Sequence, residues 1–218
     1  MQQQSVTWKL FLACVGILGI VGLNACSEPS TPEARATARF ANCTPCHGDA
    51  GGGKPELGAP AIAGLPAWYV EAQLGKFRGG LRGAHPDDTA GMRMRPMSLT
   101  IPTDADVPRI AAHVASLPVQ ASLHGLEGGD ASRGQVAFAL CSACHMADGS
   151  GMEALKAPPI AGQADWYLFA QLQKYKAGIR GANPDDVSGG QMRAISMSIV
   201  DEQAMKDLAA YASSLPRK

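Results

Sequence analysis

The chain has 218 residues, room for one large domain or two small ones, and 46% of them are hydrophobic, which suffices for a buried core and excludes a wholly disordered chain. Its 19 basic and 19 acidic residues cancel to zero formal charge. No basic face and no run of like charge is present, so nucleic acid is excluded as a partner.

The first 25 residues carry one charge, Lys9, and a mostly apolar run follows it over residues 10–23. That run has the length of an export-signal core and falls short of the roughly 20 residues that cross a bilayer. It closes on Leu23-Asn24-Ala25-Cys26, which resembles the bacterial lipobox, in which the cysteine accepts a diacylglycerol and becomes the first mature residue. Asn24 departs from the small residue usual there, and an ordinary cleaved signal or an uncleaved anchor are the other readings. The reading adopted is a signal peptide over 1–25, lipidation at Cys26, and a polar, proline-rich tether over 26–33. Membrane attachment through that lipid puts the protein on the periplasmic side of a bacterial membrane, with a soluble periplasmic protein as the alternative.

Beyond the tether the chain repeats itself. A shift of 98 residues aligns 40–118 with 138–216 without a gap, and 36 of the 79 positions are identical. Shared blocks include Pro-x-Ile-Ala-Gly (60–64 and 158–162), Trp-Tyr (68–69 and 166–167) and Arg-Gly-Ala-x-Pro-Asp-Asp (82–88 and 180–186). A period this long is a duplicated domain, since solenoid repeats are shorter. It predicts an N-terminal domain over 34–118, a linker over 119–130 containing Gly125, Gly128 and Gly129, and a C-terminal domain over 131–218.

Each copy reads as all-α. An alanine-rich segment precedes the first cysteine, residues 68–77 and 166–175 carry apolar residues at helical spacing, and last helices run from about 103 to 117 and about 201 to 215. Long loops rich in Gly, Pro and Asp separate them. Domains of this size with such loops make a poor core from side chains alone, which points to a prosthetic group at the centre.

Cys43-Thr44-Pro45-Cys46-His47 and Cys141-Ser142-Ala143-Cys144-His145 both fit Cys-x-x-Cys-His, the attachment pattern of c-type haem. Two thiols on one turn reach the two vinyl groups on a porphyrin edge, and the next residue, His47 or His145, puts an imidazole under the iron. Zinc usually gathers its cysteine pairs closer in sequence than these, a thioredoxin-like pair needs a strand–helix setting, and disulfides remain open in an exported protein. Of the six cysteines, Cys14 lies in the signal core and Cys26 in the lipobox, which leaves two per motif and two covalent haem c groups.

For the sixth iron ligand, copy one offers Met92, Met94 and Met97, and copy two Met192 and Met197. Only Met94 and Met192 coincide under the shift, each 47 residues past its histidine, in what reads as a loop before the last helix. Methionine is also a common core filler. His85, His113 and His124 have no histidine counterpart in the other copy and read as surface residues.

With Cys-x-x-Cys-His, Pro-x-Ile-Ala-Gly, the following Tyr and Arg, and the methionine in register, residues 34–217 resemble the dihaem cytochrome c4 family of class I cytochromes. The resemblance implies two tandem class I cytochrome c domains, each wrapped around a covalent haem. It further implies that the Pro60 and Pro158 carbonyls hold the axial imidazoles, and that Trp68, Tyr69, Arg82, Trp166, Tyr167 and Arg180 contact haem propionates; core packing or a solvated charge is their other reading. The Arg-Gly-Ala-x-Pro-Asp-Asp stretch is longer than that family leads one to expect.

An iron held by His and Met has no open position and favours the ferrous state, which suits electron transfer and leaves no site for a small-molecule substrate. The expectation is a carrier between a quinol-oxidising complex or dehydrogenase and a terminal oxidase or reductase. A cytochrome subunit of a flavin- or quinone-dependent dehydrogenase is the alternative, and a peroxidase would need one haem to open.

Overall fold

The computed structural model describes residues 31–217; the signal peptide, Cys26 and most of the tether lie outside the described residues. From Thr31, whose hydroxyl accepts the Ala34 N–H and so caps the first helix, the chain is all-α. In the first domain the helices are α1 (Pro32–Phe40), α2 (Thr44–His47), α3 (Ala67–Arg78), α4 (Thr89–Leu99) and α5 (Asp106–Ser116). The second repeats them as α6 (Ala131–Ala137), α7 (Ala139–His145), α8 (Asp165–Lys176), α9 (Val187–Met197) and α10 (Glu202–Ser214). Among the described residues extended pairing is limited to two isolated bridges, Lys54 with Ala59 and Met152 with Ala157, at matching positions of the repeat.

Each last helix is the axis of its domain. α5 packs against α1 and α3, and α10 against α6 and α8. The first core gathers Phe40, Leu74, Ile101, Val107, Ile110 and Val114, and the second Phe138, Ile199, Met205, Leu208 and Ala212. These cores are small for their domains. Half-buried Cys43, Ile62, Val70 and Met94 fringe the first, and Cys141, Ile160, Leu168 and Leu172 the second.

Two features depart from the sequence-based expectation. α5 starts at Asp106, later than the expected 103, because the Thr103 hydroxyl donates to the Asp106 carboxylate and does not cap the helix. Asp201, by contrast, caps α10 through the Ala204 N–H. The second departure is larger: the stretches holding Met94 and Met192 are helices, not loops. Asp88 accepts the Gly91 N–H at 3.0 Å and Asp186 the Gly189 N–H at 2.9 Å, and these caps start α4 and α9. Glycines in both and Pro96 inside α4, which has no N–H to donate, hid them from helical pattern reading.

The preceding turn is equally specific. Gly83 and Gly181 both sit at φ +75°, and a Cβ there would lie 2.4 Å from the Gly91 carbonyl oxygen and 2.2 Å from that of Gly189. Only glycine lets the turn lie this close against α4 and α9.

The linker, 119–130, runs without helix across the second domain. Ser122 donates to the Gly162 carbonyl, the Gly125 N–H reaches the Asp165 carboxylate, and Trp166 donates its indole N–H to the Leu123 carbonyl at 3.1 Å.

Candidate haem sites and the interface between them

The two Cys-x-x-Cys-His motifs fold alike. Cys43 precedes α2, Cys141 and Cys144 lie within α7, and both helices end on the histidine. His47 is 7% and His145 6% exposed, and each directs Nδ1 to a proline carbonyl, Pro60 or Pro158, at 2.8 Å. A carbonyl only accepts, so Nδ1 carries the proton and Nε2 keeps the lone pair that can bind a metal. Burial lowers the pKa of both imidazoles, offset in part by these bonds, so they are held neutral and able to ligate.

The four motif cysteines form no disulfide. Burial pushes the Cys43 thiol up and the Cys141 thiol up to about 11, with the neighbouring Cys46 or Cys144 adding to it. Cys43 and Cys141 are therefore neutral thiols. Among the described residues no group of three or more His, Cys, Asp or Glu side chains converges on one point.

Met94 and Met192 are half-buried, whereas Met92, Met97 and Met197 are 42%, 38% and 57% exposed. The helices α4 and α9 therefore turn the register-matched methionines inward and the others to solvent. His85 pairs with Asp87, His113 lies against Phe40, and His124 bonds Ser213, so each has a local role.

Haem c fits these residues, and the fit has an independent sign. The buried Nε groups of Arg95, Arg193 and Arg180 have no partner in the chain. Arg95 and Arg193 are equivalent under the repeat and directly follow Met94 and Met192. Repeated, desolvated cationic donors are suited to an anionic group such as a propionate.

The other expected residues meet at the domain boundary. Arg82 donates to Gln73 of its own domain at 3.0 Å, and across the boundary to Tyr167 at 3.0 Å and Gln171 at 3.2 Å. Arg180 mirrors it, donating to Gln171 at 2.7 Å and across to Gln73 at 2.9 Å, and Tyr69 also hydrogen-bonds it. The arginines stack over Phe77 and Tyr175, each at 4.6 Å. Trp68 and Trp166 lie outside this knot, Trp68 under Lys156 of the other domain and Trp166 against the linker.

Two ion pairs flank the knot. Lys76 meets Asp186 and Lys174 meets Asp88, both at 2.6 Å. Burial works against ionisation of Asp88, and the bond and charge of Lys174 outweigh it, holding its pKa below the usual carboxylate range. Sequence reasoning passed over Gln73, Gln171, Lys76 and Lys174, and the partner role of Asp88 and Asp186. The signal was available: all six are polar residues identical in both copies.

Two tandem all-α units, each with a covalent-attachment motif and a tied imidazole, define a class, and the comparisons agree. The sequence model of the family described as Cytochrome c matches residues 33–118 and 131–216, so the chain belongs to the cytochrome c family and carries two covalently bound haem c. Within that family it is a dihaem, cytochrome c4-like electron carrier. It is 28% identical over 215 residues to cytochrome c4 of Pseudomonas aeruginosa, covering 94% of this chain and 96% of the relative. It is 27% identical to the thiosulfate dehydrogenase electron acceptor of Stutzerimonas stutzeri, covering 99% and 98%. Its fold matches the structure of thiosulfate dehydrogenase (TsdBA) from Marichromatium purpuratum with a TM-score of 0.68 at 29% identity, over 83% of this chain and 40% of that longer one.

Proposed function

We propose that this protein is a two-site, one-electron relay on the periplasmic face of a bacterial membrane, tethered by a lipid on Cys26. Cys43, Cys46, His47 and Met94 would hold one haem, and Cys141, Cys144, His145 and Met192 the other. The observation that carries this is the agreement of the two domains. Each has a buried imidazole with Nδ1 tied to a proline carbonyl, and one half-buried methionine in register while its neighbours are exposed.

When bound, haem c supplies a reversible one-electron iron couple, and two protein ligands leave it closed to small-molecule chemistry. The protein does the rest. The thiols anchor it, Pro60 and Pro158 fix the imidazole tautomer and raise its basicity, and Arg95 and Arg193 offer positive charge beside each methionine. The arginine–glutamine–tyrosine knot holds the two domains in one arrangement, so the distance between sites does not drift. No helix among the described residues is long and apolar enough to cross a membrane. An anchor on Cys26 would therefore leave both haem domains free to reach partners.

Donors of the expected kind are a quinol-oxidising complex or a dehydrogenase, and acceptors a terminal oxidase or reductase. The relative named as a thiosulfate dehydrogenase electron acceptor supports a thiosulfate-oxidising dehydrogenase as donor. A second reading, a permanent cytochrome subunit of such an enzyme, is supported by the likeness to part of the longer TsdBA chain. The test mixes the purified oxidised protein with a thiosulfate dehydrogenase and thiosulfate and follows reduction of both haems by absorbance. Fast reduction by separable partners fits the carrier, and co-migration on gel filtration fits the subunit. Absence of reduction rejects this donor for both.

A further inference from the structure

The two lysine–aspartate pairs at the boundary run in opposite directions, and each aspartate has a second duty. Lys76, on α3 of the first domain, binds Asp186 of the second at 2.6 Å and also donates to Ser188 at 2.7 Å. Lys174, on α8 of the second domain, binds Asp88 of the first at 2.6 Å. Asp88 and Asp186 are each 2% exposed, so water contributes little to holding their charge. Asp88 is the cap of α4, which carries Met94, and Asp186 is the cap of α9, which carries Met192. Lys76 and the Gly189 N–H both meet Oδ1 of Asp186, and its buried Oδ2 has no hydrogen-bond partner in the chain.

We infer that Lys76 and Lys174 are positioning residues that act across the domain boundary: each domain holds the capping carboxylate, and hence the start, of the other domain's methionine-bearing helix. This rests on reading Met94 and Met192 as iron ligands. Without its lysine the buried carboxylate loses its closest cation, and it must turn toward another donor or draw in water. Either change weakens its grip on the Gly91 or Gly189 N–H and frees the first turn of the helix. The methionine, a turn and a half further on, then leaves the iron more often. Ligation in one domain thus depends on a side chain of the other, so a domain cut away from its partner loses part of what holds its methionine.

The test uses the full dihaem protein with Lys76→Met and Lys174→Met, and Lys→Arg at both positions as conservative controls. The rate at which the ferric protein captures added imidazole reports methionine departure. The ligating methionine methyl signals in the proton NMR spectrum of the reduced protein, assigned with Met94→Ala and Met192→Ala, report which site has changed. Lys174→Met should speed capture roughly tenfold or more at the Met94 site and leave the Met192 site within about twofold. Lys76→Met should do the reverse, and the arginine variants should return both rates toward wild type. Ser188→Ala, which removes only the second acceptor of Lys76, is the milder variant should Lys76→Met fail to fold, and should speed the Met192 site alone by about two- to threefold. For the lysine variants, acceleration in the lysine's own domain, at both sites equally, or at neither overturns the inference, and so does an unchanged Met192 site in Ser188→Ala. Persistence of both methyl signals in the methionine variants overturns the ligand reading instead, so the two failures are distinct.

Discussion

Replacing Met94 by alanine should remove half of the weak red-end absorption band that reports iron–thioether ligation. One of two equivalent sites would be lost, and Met192→Ala should remove the other half. The stability cost follows from packing. A fully buried methionine cut to alanine costs about 2–5 kcal/mol; Met94 is half-buried against the Phe40–Val114 core, so about 1–2.5 kcal/mol is expected, confined to the first domain. Met92 and Met97, in the same helix but 42% and 38% exposed, are the controls: alanine there should cost under about 0.5 kcal/mol and leave the band intact. The assay is visible absorption of the ferric holoprotein alongside a thermal melt. Loss of the thioether should also lower the reduction potential of that site alone, because the soft ligand favours ferrous iron. Halving of the band by Met92→Ala, Met97→Ala or Met197→Ala would refute the reasoning from repeat register and burial.

Acid–acetone extraction should leave two haems on the wild-type chain, and Cys43→Ala or Cys46→Ala should weaken attachment at the first site only; extraction of all haem from the wild type would count against covalent attachment. Arg180→Met removes one charged hydrogen bond within its domain and two across the boundary, so denaturant unfolding should show a loss of about 3 kcal/mol or more, and a loss under about 1 kcal/mol would mean that the knot contributes little. Arg133 grips both carboxylate oxygens of Asp207 at 2.7 and 2.9 Å and holds its pKa down to about 2. A depressed carboxylate pKa adds stability above the unfolded value near 4, and that stability disappears as pH falls from about 4 through about 2. Asp207→Asn should therefore flatten this acid limb in pH-dependent melts of the second domain. Cys26→Ser should release the protein from membranes, or trap its precursor there, without altering the visible spectrum; a mature N-terminal peptide in mass spectrometry that lacks lipid, or starts elsewhere, would end the lipoprotein reading.

Much of this protein is legible from its residues because the signals are local or repeated. Cys-x-x-Cys-His is a five-residue pattern whose chemistry lies in adjacent side chains, so it needs no fold to be recognised. The 98-residue repeat exposes the duplicated domain, the two haems and the methionine register, because matching positions answer to the same constraint twice. Apolar spacing located α3 and α8, and α5 and α10 to within a few residues. It failed on α4 and α9, where a capping aspartate and the neighbouring domain support helices containing glycine and proline.

What tertiary structure decided is who meets whom across the boundary. Arg82 and Arg180 stood out in the sequence, yet nothing local says that each bonds glutamines of both domains. Nor does spacing reveal that Lys76 and Lys174 reach the caps of helices more than a hundred and more than eighty residues away, respectively. Those partnerships depend on how two folded surfaces dock, and docking is set by the summed shape and charge of both faces. A sequence pattern carries the chemistry that neighbouring residues perform together; contacts between distant residues exist only once the chain has closed on itself.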